Sequence, residues 1–187
     1  MSEPVFTIAN QLTILRMALA PGLLVLVLSR EHAWALAVFV IAALTDLLDG
    51  LIARRGHQST ALGAVLDPIA DKLLMASTYV ALTWSGGLPC RVPAWLTVVL
   101  LSRDAAIVVS VAAINLALGR RLFYPTLLGK LSTISQSLTA GVALLSNAMG
   151  ECFSWTGLLY RLTLALTVAS ALQYVYLATA KRRRTRA

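Results

Sequence analysis

Apolar residues form six long runs along the chain, and short polar segments separate them. As α-helices rising ~1.5 Å per residue, runs of this length would cross a ~30 Å hydrocarbon layer. Most of them lack the polar stripe that a helix carries on the surface of a soluble bundle. We therefore predict an all-α integral membrane protein, a bundle of six transmembrane helices in one domain covering residues 1–187. The predicted spans are 10–29, 33–53, 64–84, 93–118, 127–148 and 156–179.

Composition supports this fold class and charge sets its orientation. Hydrophobic residues make up 58% of the chain and charged residues 13%, about half the charged share of a soluble domain. With the N-terminus in the cytoplasm, the inside segments hold Arg54, Arg55, Arg120, Arg121, Lys130, Lys181, Arg182, Arg183, Arg184 and Arg186, whereas the outside segments hold Arg30 and Arg91, with Arg161 near the start of the last span. This asymmetry predicts a multi-pass protein of the bacterial inner membrane with both termini cytoplasmic.

The same charge pattern excludes other classes. Basic residues flank the spans, and no basic module carries interleaved aromatic residues, so we expect no nucleic-acid partner. We also expect no cleaved signal peptide, since the first apolar run is too long and no basic segment precedes it.

Four carboxylates fall close together in a chain that has eight acidic residues. Asp46 and Asp49 lie three apart near the end of the second span, and Asp67 and Asp71 lie four apart near the start of the third. Both spacings place the pair on one face of a helix. Because a short loop joins the two spans, the helices are expected to be antiparallel neighbours whose carboxylates lie at matching depth, just inside the cytoplasmic boundary.

Carboxylates at that depth are costly unless something neutralises them. Oxygen ligands without histidine or cysteine favour a hard divalent cation, Mg²⁺ or Mn²⁺, over zinc. Four carboxylates are enough for two ions, and a two-metal site suits displacement at phosphorus. Gly50, Gly63 and Ala53 are small residues that allow a ligand close to the helices. Arg54, one turn beyond Gly50, is placed to pair with a diphosphate.

Two alternatives remain open from the spacing alone. The carboxylates would serve a purely structural network if they paired with Arg16, Arg103 or Lys72. They would line a cation pathway if the chain were a small membrane transporter. A metal or phosphate enzyme is favoured over both.

The complete motif resembles a known family. The chain has Asp46, two residues, Asp49-Gly50, two residues, Ala53-Arg54, eight residues, Gly63, three residues, Asp67, three residues and Asp71. At each fixed position this matches the signature of the CDP-alcohol phosphatidyltransferases. The resemblance also takes in Asn10 to Pro21, Arg103-Asp104, and the segment from Gly129 to Thr133.

What the resemblance implies is a six-helix membrane enzyme, usually a homodimer, with a site that faces the cytoplasm. Asp46, Asp49, Asp67 and Asp71 would hold two divalent ions, and Asp71 would also act as general base. CDP-diacylglycerol would contact Asp46, Asp49, Gly50, Ala53, Arg54 and Gly63. Asp71 would take the proton of an acceptor hydroxyl, whose oxygen attacks the phosphorus nearest the diacylglycerol while CMP leaves. The metal and Arg54 would stabilise the charge that grows on CMP.

The acceptor is expected to be an anionic alcohol, held by cationic side chains. The candidates are Arg103, Lys130, Arg120 and Arg121, with Arg16 and Lys72 as weaker ones. For Arg103 the alternative is a local pair with Asp104 that only fixes packing. For Lys130 the alternative is a snorkelling lysine at the cytoplasmic boundary.

Two branches of the family resemble the flanking segments: the phosphatidylglycerophosphate synthases and the eukaryotic-type cardiolipin synthases. Enzymes that use glycerol 3-phosphate usually have Arg-Glu where this chain has Arg103-Asp104, and a further arginine where Ile107 to Leu118 is uncharged. The Arg-Asp pair and Tyr124-Pro125-Thr126 resemble the cardiolipin branch. The expected acceptor is glycerol 3-phosphate, because that activity is common, and the alternative is phosphatidylglycerol. Inositol phosphate and serine are less favoured.

The two cysteines, Cys90 and Cys152, are too few and too far apart for a zinc site. Both fall in loops predicted to face outward, where the compartment is oxidising. A disulfide between them is one hypothesis. Two unpaired thiols, too distant to bridge, are the favoured alternative.

Overall fold

The computed structural model describes the backbone of residues 8–56, 63–118 and 126–184, and these residues form α-helices and short connections without a strand. The helices are α1 (Ile8–Leu28), α2 (His32–Gly56), α3 (Gly63–Trp84), α4 (Ala94–Leu118), α5 (Leu127–Met149) and α6 (Thr156–Arg184). The prediction of an all-α chain with six helices is thereby confirmed. Within the described residues, no helix combines the length and the apolar character needed to cross a membrane.

Local backbone chemistry accounts for both ends of α5. Thr126 precedes α5, and its Oγ1 accepts the N–H of Gly129 at 3.1 Å, as an N-cap does. At the other end of α5, Gly150 has φ +77° and the N–H of Glu151 reaches the carbonyl of Ser146. This is the six-to-one bond of a Schellman motif, in which a left-handed glycine ends the helix.

The chain divides into two compact units, and α5 contributes to both. The first unit comprises Met1–Val92 and Ala140–Phe153, and the second comprises Pro93–Thr139 and Ser154–Ala187. The prediction of a single domain over 1–187 is not tested by this division.

In the first unit, α1 packs against α3 and α2. Small residues permit the close approach of these helices: Ala20, Ala35, Ala42 and Ala70 are buried together with Leu23, Val27, Phe39, Leu74 and Tyr79. A Cβ placed on Gly141 of α5 would lie 3.5 Å from the ring of Phe39. The backbone of α5 at Gly141 therefore lies close to α2, with space for about one methyl group between them.

A disulfide joins Cys90 to Cys152 within the first unit, with the two Cα atoms 4.7 Å apart. Two hydrogen bonds from the side chain of Asn147 hold the same loop independently of the disulfide. Its amide nitrogen donates to the carbonyl of Cys90 at 2.8 Å, and its amide oxygen accepts the N–H of Cys90 at 3.0 Å. The favoured expectation of two unpaired, distant thiols is wrong, because the last turn of α5 binds the loop after α3 and brings the cysteines within bridging distance.

The second unit has a buried face rich in hydroxyl groups. Ser132, Gln136 and Thr139 on α5 are buried, as are Thr163, Thr167 and Ser170 on α6. Hydrogen bonds cross from one helix to the other: Ser132 to Thr167 at 3.2 Å, Ser135 to Thr163 at 2.6 Å and Thr139 to Thr163 at 2.7 Å. We name this contact between α5 and α6 the hydroxyl seam. In this unit α4 also packs against α6.

Candidate functional site

The acidic motif lies on two consecutive helices of the first unit. The backbone of α2 is helical through Asp46 and Asp49, and that of α3 is helical through Asp67 and Asp71. The three- and four-residue spacings therefore place each pair on one helix face, as expected. Side-chain positions are described for Asp46 and Asp71, whereas those of the remaining motif residues, Asp49, Gly50, Ala53, Arg54, Gly63 and Asp67, lie outside the described set.

Asp46 meets a buried arginine from α1. The Nη1 atom of Arg16 lies 2.8 Å from Oδ1 of Asp46, as an ion pair without the alignment of a hydrogen bond. The Arg16 side chain is 1% exposed and that of Asp46 is 53% exposed. The cation therefore lies beneath the carboxylate, and the carboxylate presents its other side outward. This contact shows that one of the structural partners considered for the cluster does pair with it.

Asp71 occupies the border of the packed face of α3. Its neighbour Ala70 is fully buried and Ile69 is exposed, while Asp71 itself is half-buried. Such a position gives a carboxylate both a fixed backbone and access to a ligand. Among the residues whose side chains are described, no group of three or more His, Cys, Asp or Glu side chains gathers into a metal site.

The donor chemistry of the described carboxylates fits a hard divalent ion. Asp46 offers exposed carboxylate oxygen, and Asp71 offers oxygen from a half-buried position on α3. Mg²⁺ and Mn²⁺ take oxygen ligands of this kind, and Mg²⁺ commonly uses one or two protein carboxylates with water and substrate phosphate. The residues present are therefore compatible with the ions expected from the sequence.

Two of the candidate acceptor residues, Arg103 and Lys130, lie in the second unit, where Arg103 is the centre of a polar cluster. Its Nη1 donates to Oδ1 of Asp104 at 2.8 Å, and its Nη2 donates to Oγ of Ser170 at 2.7 Å. The Arg103 side chain is 9% exposed. A Cβ added to Gly129 would lie 3.8 Å from Nη2 of Arg103 and 3.2 Å from Oγ1 of Thr126. We name Arg103, Asp104, Thr126, Gly129 and Ser170 the arginine cluster.

This cluster brings together two segments that the sequence analysis singled out separately. Arg103 and Gly129 are neighbours, and Lys130 follows Gly129 as an exposed side chain. The Arg103–Asp104 pair considered as an alternative is present in the structure. Arg120 and Arg121 lie outside the described residues.

Sequence reasoning missed Ser170. Its only sequence signal is a spacing: Thr163, Thr167 and Ser170 recur every three or four residues within the mainly apolar middle of α6. That period marks one polar face on a helix. It does not say which neighbouring helix the face meets, and so gave no reason to link Ser170 to Arg103.

Comparison with known proteins defines the class. The family model of the CDP-alcohol phosphatidyltransferases matches residues 6–172. The chain belongs to this family and is a transferase of phospholipid biosynthesis. The resemblance seen in the aspartate motif is thereby confirmed. Enzymes of the family use CDP-diacylglycerol and an alcohol acceptor, and they generally depend on a divalent metal.

Individual relatives come from both branches considered above. A Streptomyces coelicolor protein named cardiolipin synthase (CMP-forming) is 39% identical in an alignment that covers 80% of this chain and 70% of the relative. The human cardiolipin synthase (CMP-forming) is 34% identical in an alignment that covers 93% of this chain and 62% of the human protein. A Mycobacterium tuberculosis protein named probable phosphatidylglycerophosphate synthase is 34% identical in an alignment that covers 90% of this chain and 79% of the relative.

Proposed function

We propose that this protein transfers the phosphatidyl group of CDP-diacylglycerol to phosphatidylglycerol, forming cardiolipin and releasing CMP. The observation that carries the reaction type is the unbroken aspartate motif within the segment that the family model matches. Glycerol 3-phosphate is the second candidate acceptor, favoured by the relative named as a probable phosphatidylglycerophosphate synthase. The family match favours an enzyme over the transporter alternative.

Sequence reasoning favoured glycerol 3-phosphate, but the Arg103–Asp104 pair supports phosphatidylglycerol as the first candidate acceptor. Glycerol 3-phosphate carries a phosphate monoester, whose charge is about −1.5 to −2 at pH 7. The phosphodiester of phosphatidylglycerol carries a single negative charge. Asp104 compensates part of the Arg103 charge at 2.8 Å, so the arginine cluster presents less net positive charge than a free arginine. That balance suits the singly charged headgroup better. The relatives named cardiolipin synthase favour the same acceptor.

The proposed chemistry assigns a step to the chain's own residues. Asp71 accepts the proton from the hydroxyl of the acceptor, and the freed oxygen bonds to the phosphorus that bears diacylglycerol. The bond from that phosphorus to CMP breaks, and CMP leaves with the electron pair. Arg54 is assigned to the leaving phosphate, while Gly50, Ala53 and Gly63 leave room for the nucleotide. Two bound Mg²⁺ or Mn²⁺ ions, the number that the family resemblance implies, would neutralise charge on the diphosphate.

We further propose that the helices lie in a membrane, with both termini in the cytoplasm and Asp46, Asp49, Asp67 and Asp71 facing that side. Support comes from the distribution of polarity. Buried positions include Arg16, Thr13, Thr78 and Gln136, while exposed positions include Ile14, Val25, Ile41, Val109, Ile134 and Leu172. A protein in water has the opposite arrangement, whereas a lipid environment tolerates apolar surface and requires polar groups to find partners inside.

The tryptophans support the same placement. All four tryptophans of the chain are exposed. In the first unit, Trp34 lies in the first turn of α2 and Trp84 ends α3. In the second unit, Trp95 lies in the first turn of α4 and Trp155 immediately precedes α6. These are the helix ends next to the loops predicted to face outward, and tryptophan is enriched at membrane–water interfaces.

An assay with defined substrates tests the function. The purified protein in detergent receives CDP-diacylglycerol, Mg²⁺ or Mn²⁺, and either phosphatidylglycerol or glycerol 3-phosphate. CMP release and the lipid product are followed together. Cardiolipin supports the proposal, and phosphatidylglycerophosphate replaces it with the second candidate. Absence of CMP release with both acceptors overturns the proposed function. Mass measurement in lipid nanodiscs tests the homodimer that the family resemblance implies.

A further inference from the structure

We propose that Ser170 on α6 is a positioning residue of the acceptor site, acting through the guanidinium of Arg103. The inference rests on the proposed function, in which Arg103 binds the acceptor's phosphate. Arg103 belongs to α4, and without a partner on another helix its long side chain would have several rotamers available. The bond of 2.7 Å from Nη2 to Ser170 removes that freedom.

Two partners hold the guanidinium at different edges. Asp104, the next residue in the chain, accepts a hydrogen bond from Nη1 at 2.8 Å. Ser170, which lies 67 positions after Arg103, accepts one from Nη2. Asp104 alone would move with Arg103, because both belong to the same turn of α4. Ser170 is 3% exposed and is fixed by the packing of α6. The serine therefore sets the position of the cation relative to a second helix.

The position so fixed is next to the N-terminal turn of α5. Gly129 lies there, and the point that a Cβ would occupy is 3.2 Å from Thr126 Oγ1 and 3.8 Å from both Arg103 Nη2 and Ser170 Oγ. The absence of a side chain on Gly129 therefore lets the start of α5 approach the guanidinium closely. Nε of Arg103 is buried and has no hydrogen-bond partner among the described residues. A guanidinium has five N–H donors, so donors remain for an oxygen of the acceptor's phosphate.

Ser170 differs in its bonding partner from the hydroxyl residues of the hydroxyl seam. Thr163 and Thr167 bond to hydroxyls on α5, and Thr167 also donates to the carbonyl of Thr163 one turn earlier in α6. Ser170 instead bonds to a cation. A charge-assisted hydrogen bond is shorter and stronger than a neutral one. Loss of the Ser170 hydroxyl is therefore expected to change the position of the guanidinium.

The test compares Ser170→Ala with Ser102→Ala. Ser102 precedes Arg103, is exposed, and bonds only to the carbonyl of Val99 among the contacts described, so it controls for loss of a hydroxyl beside the arginine. Apparent KM is measured for phosphatidylglycerol, for glycerol 3-phosphate and for CDP-diacylglycerol, together with kcat and the thermal midpoint. Ser170→Ala is expected to raise the KM of the acceptor about five- to tenfold, through loss of order in a charged contact.

The KM for CDP-diacylglycerol is expected to stay within about twofold in both variants, because positioning of the acceptor affects one substrate only. In an Arg103→Gln background, Ser170→Ala is expected to add nothing, since the hydroxyl acts through the guanidinium. If Arg103→Gln does not fold, the single variant decides the question.

An unchanged acceptor KM in Ser170→Ala overturns the inference, as does an equal rise in both KM values, which would indicate general loss of packing. Either result leaves an active wild-type enzyme and hence the proposed function intact. Failure of the proposed function has a different signature: the wild-type protein itself releases no CMP with either acceptor.

Discussion

Each of two buried arginines is matched to a carboxylate, and the two pairs differ in what they leave accessible. Arg16 lies beneath an aspartate that is half exposed, whereas Arg103 and Asp104 are both largely buried. A buried charge costs several kcal/mol unless it is paired. Pairing therefore explains why both arginines are tolerated. The Asp46 carboxylate keeps an exposed side, as the proposed metal site requires, whereas the Asp104 carboxylate is largely enclosed by protein.

At the residue scale, the assignment of Asp71 as general base predicts a separation of binding from turnover. Asp71→Asn keeps the size of the side chain and removes its ability to accept a proton. We expect turnover to fall by about 10²- to 10⁴-fold, the usual contribution of a general base, with much of the CDP-diacylglycerol binding retained. Steady-state CMP release and equilibrium binding measure the two quantities. Glu151→Gln, an exposed carboxylate after α5, is the control. A fully active Asp71→Asn enzyme would contradict the mechanism.

Metal dependence is the second prediction at this scale. Removal of divalent ions with EDTA is expected to abolish CMP release, and Mg²⁺ or Mn²⁺ should restore it, because carboxylate oxygens alone cannot neutralise a diphosphate. Asp46→Asn should raise the concentration of Mn²⁺ needed for half-maximal binding, measured by titration without substrate. Normal turnover in EDTA would refute the metal site.

At the scale of the helices, positions of the elements were predictable and their contacts were not. The span 10–29 became α1 at Ile8–Leu28, and 64–84 became α3 at Gly63–Trp84, because apolar length and helix length coincide when polar loops follow at once. The span 156–179 became α6 at Thr156–Arg184, since arginine and lysine are good helix formers and favour a helix C-terminus. Hydropathy detects neither property.

Only part of the arginine cluster was identified from the sequence, because the cluster depends on which helix faces meet. Arg103 and Gly129 stand out in sequence as a charge and a glycine within apolar runs. Ser170 and Thr126 are ordinary hydroxyl residues, and their role depends on which faces of α4, α5 and α6 meet. A single sequence gives the polar face of each helix and leaves the pairing of faces undetermined.

The hydroxyl seam gives a prediction for α5 and α6. Thr163 is shared by Ser135 and Thr139, at 2.6 and 2.7 Å. Thr163→Val preserves the shape and removes the shared oxygen, so we expect about 1–2 kcal/mol lower stability. Thr133→Val, which removes only a local bond to the carbonyl of Gly129, should cost less. Unfolding midpoints in mixed micelles with increasing SDS measure both. Equal losses would mean that the seam contributes no interhelical stabilisation.

For the whole molecule, the disulfide and the predicted topology depend on each other. Cys90 and Cys152 lie in the loops between α3 and α4 and between α5 and α6. Both loops are assigned to the outer side by the positive charges of the opposite segments. A bond between these cysteines persists only in an oxidising compartment, which is the environment expected there. A protein with the reverse orientation would expose both sulfurs to the reducing cytoplasm.

The last prediction follows from this link. In protein alkylated at once in its native membrane, non-reduced peptides should carry the Cys90–Cys152 bond, as measured by mass spectrometry. Cys90→Ser is expected to lower stability by at most about 4 kcal/mol, the chain-entropy limit for a closed loop of this size; the loop spans 62 positions. Asn147 should moderate the loss, because its two bonds to the Cys90 backbone do not involve sulfur.

Turnover should remain near that of the wild type, since the aspartate motif lies at the opposite ends of α2 and α3 from the loops that hold the disulfide. Full alkylation of both cysteines without prior reduction would contradict the bond and remove its support for the orientation. A large loss of turnover with unchanged stability would contradict the separation of the disulfide from catalysis.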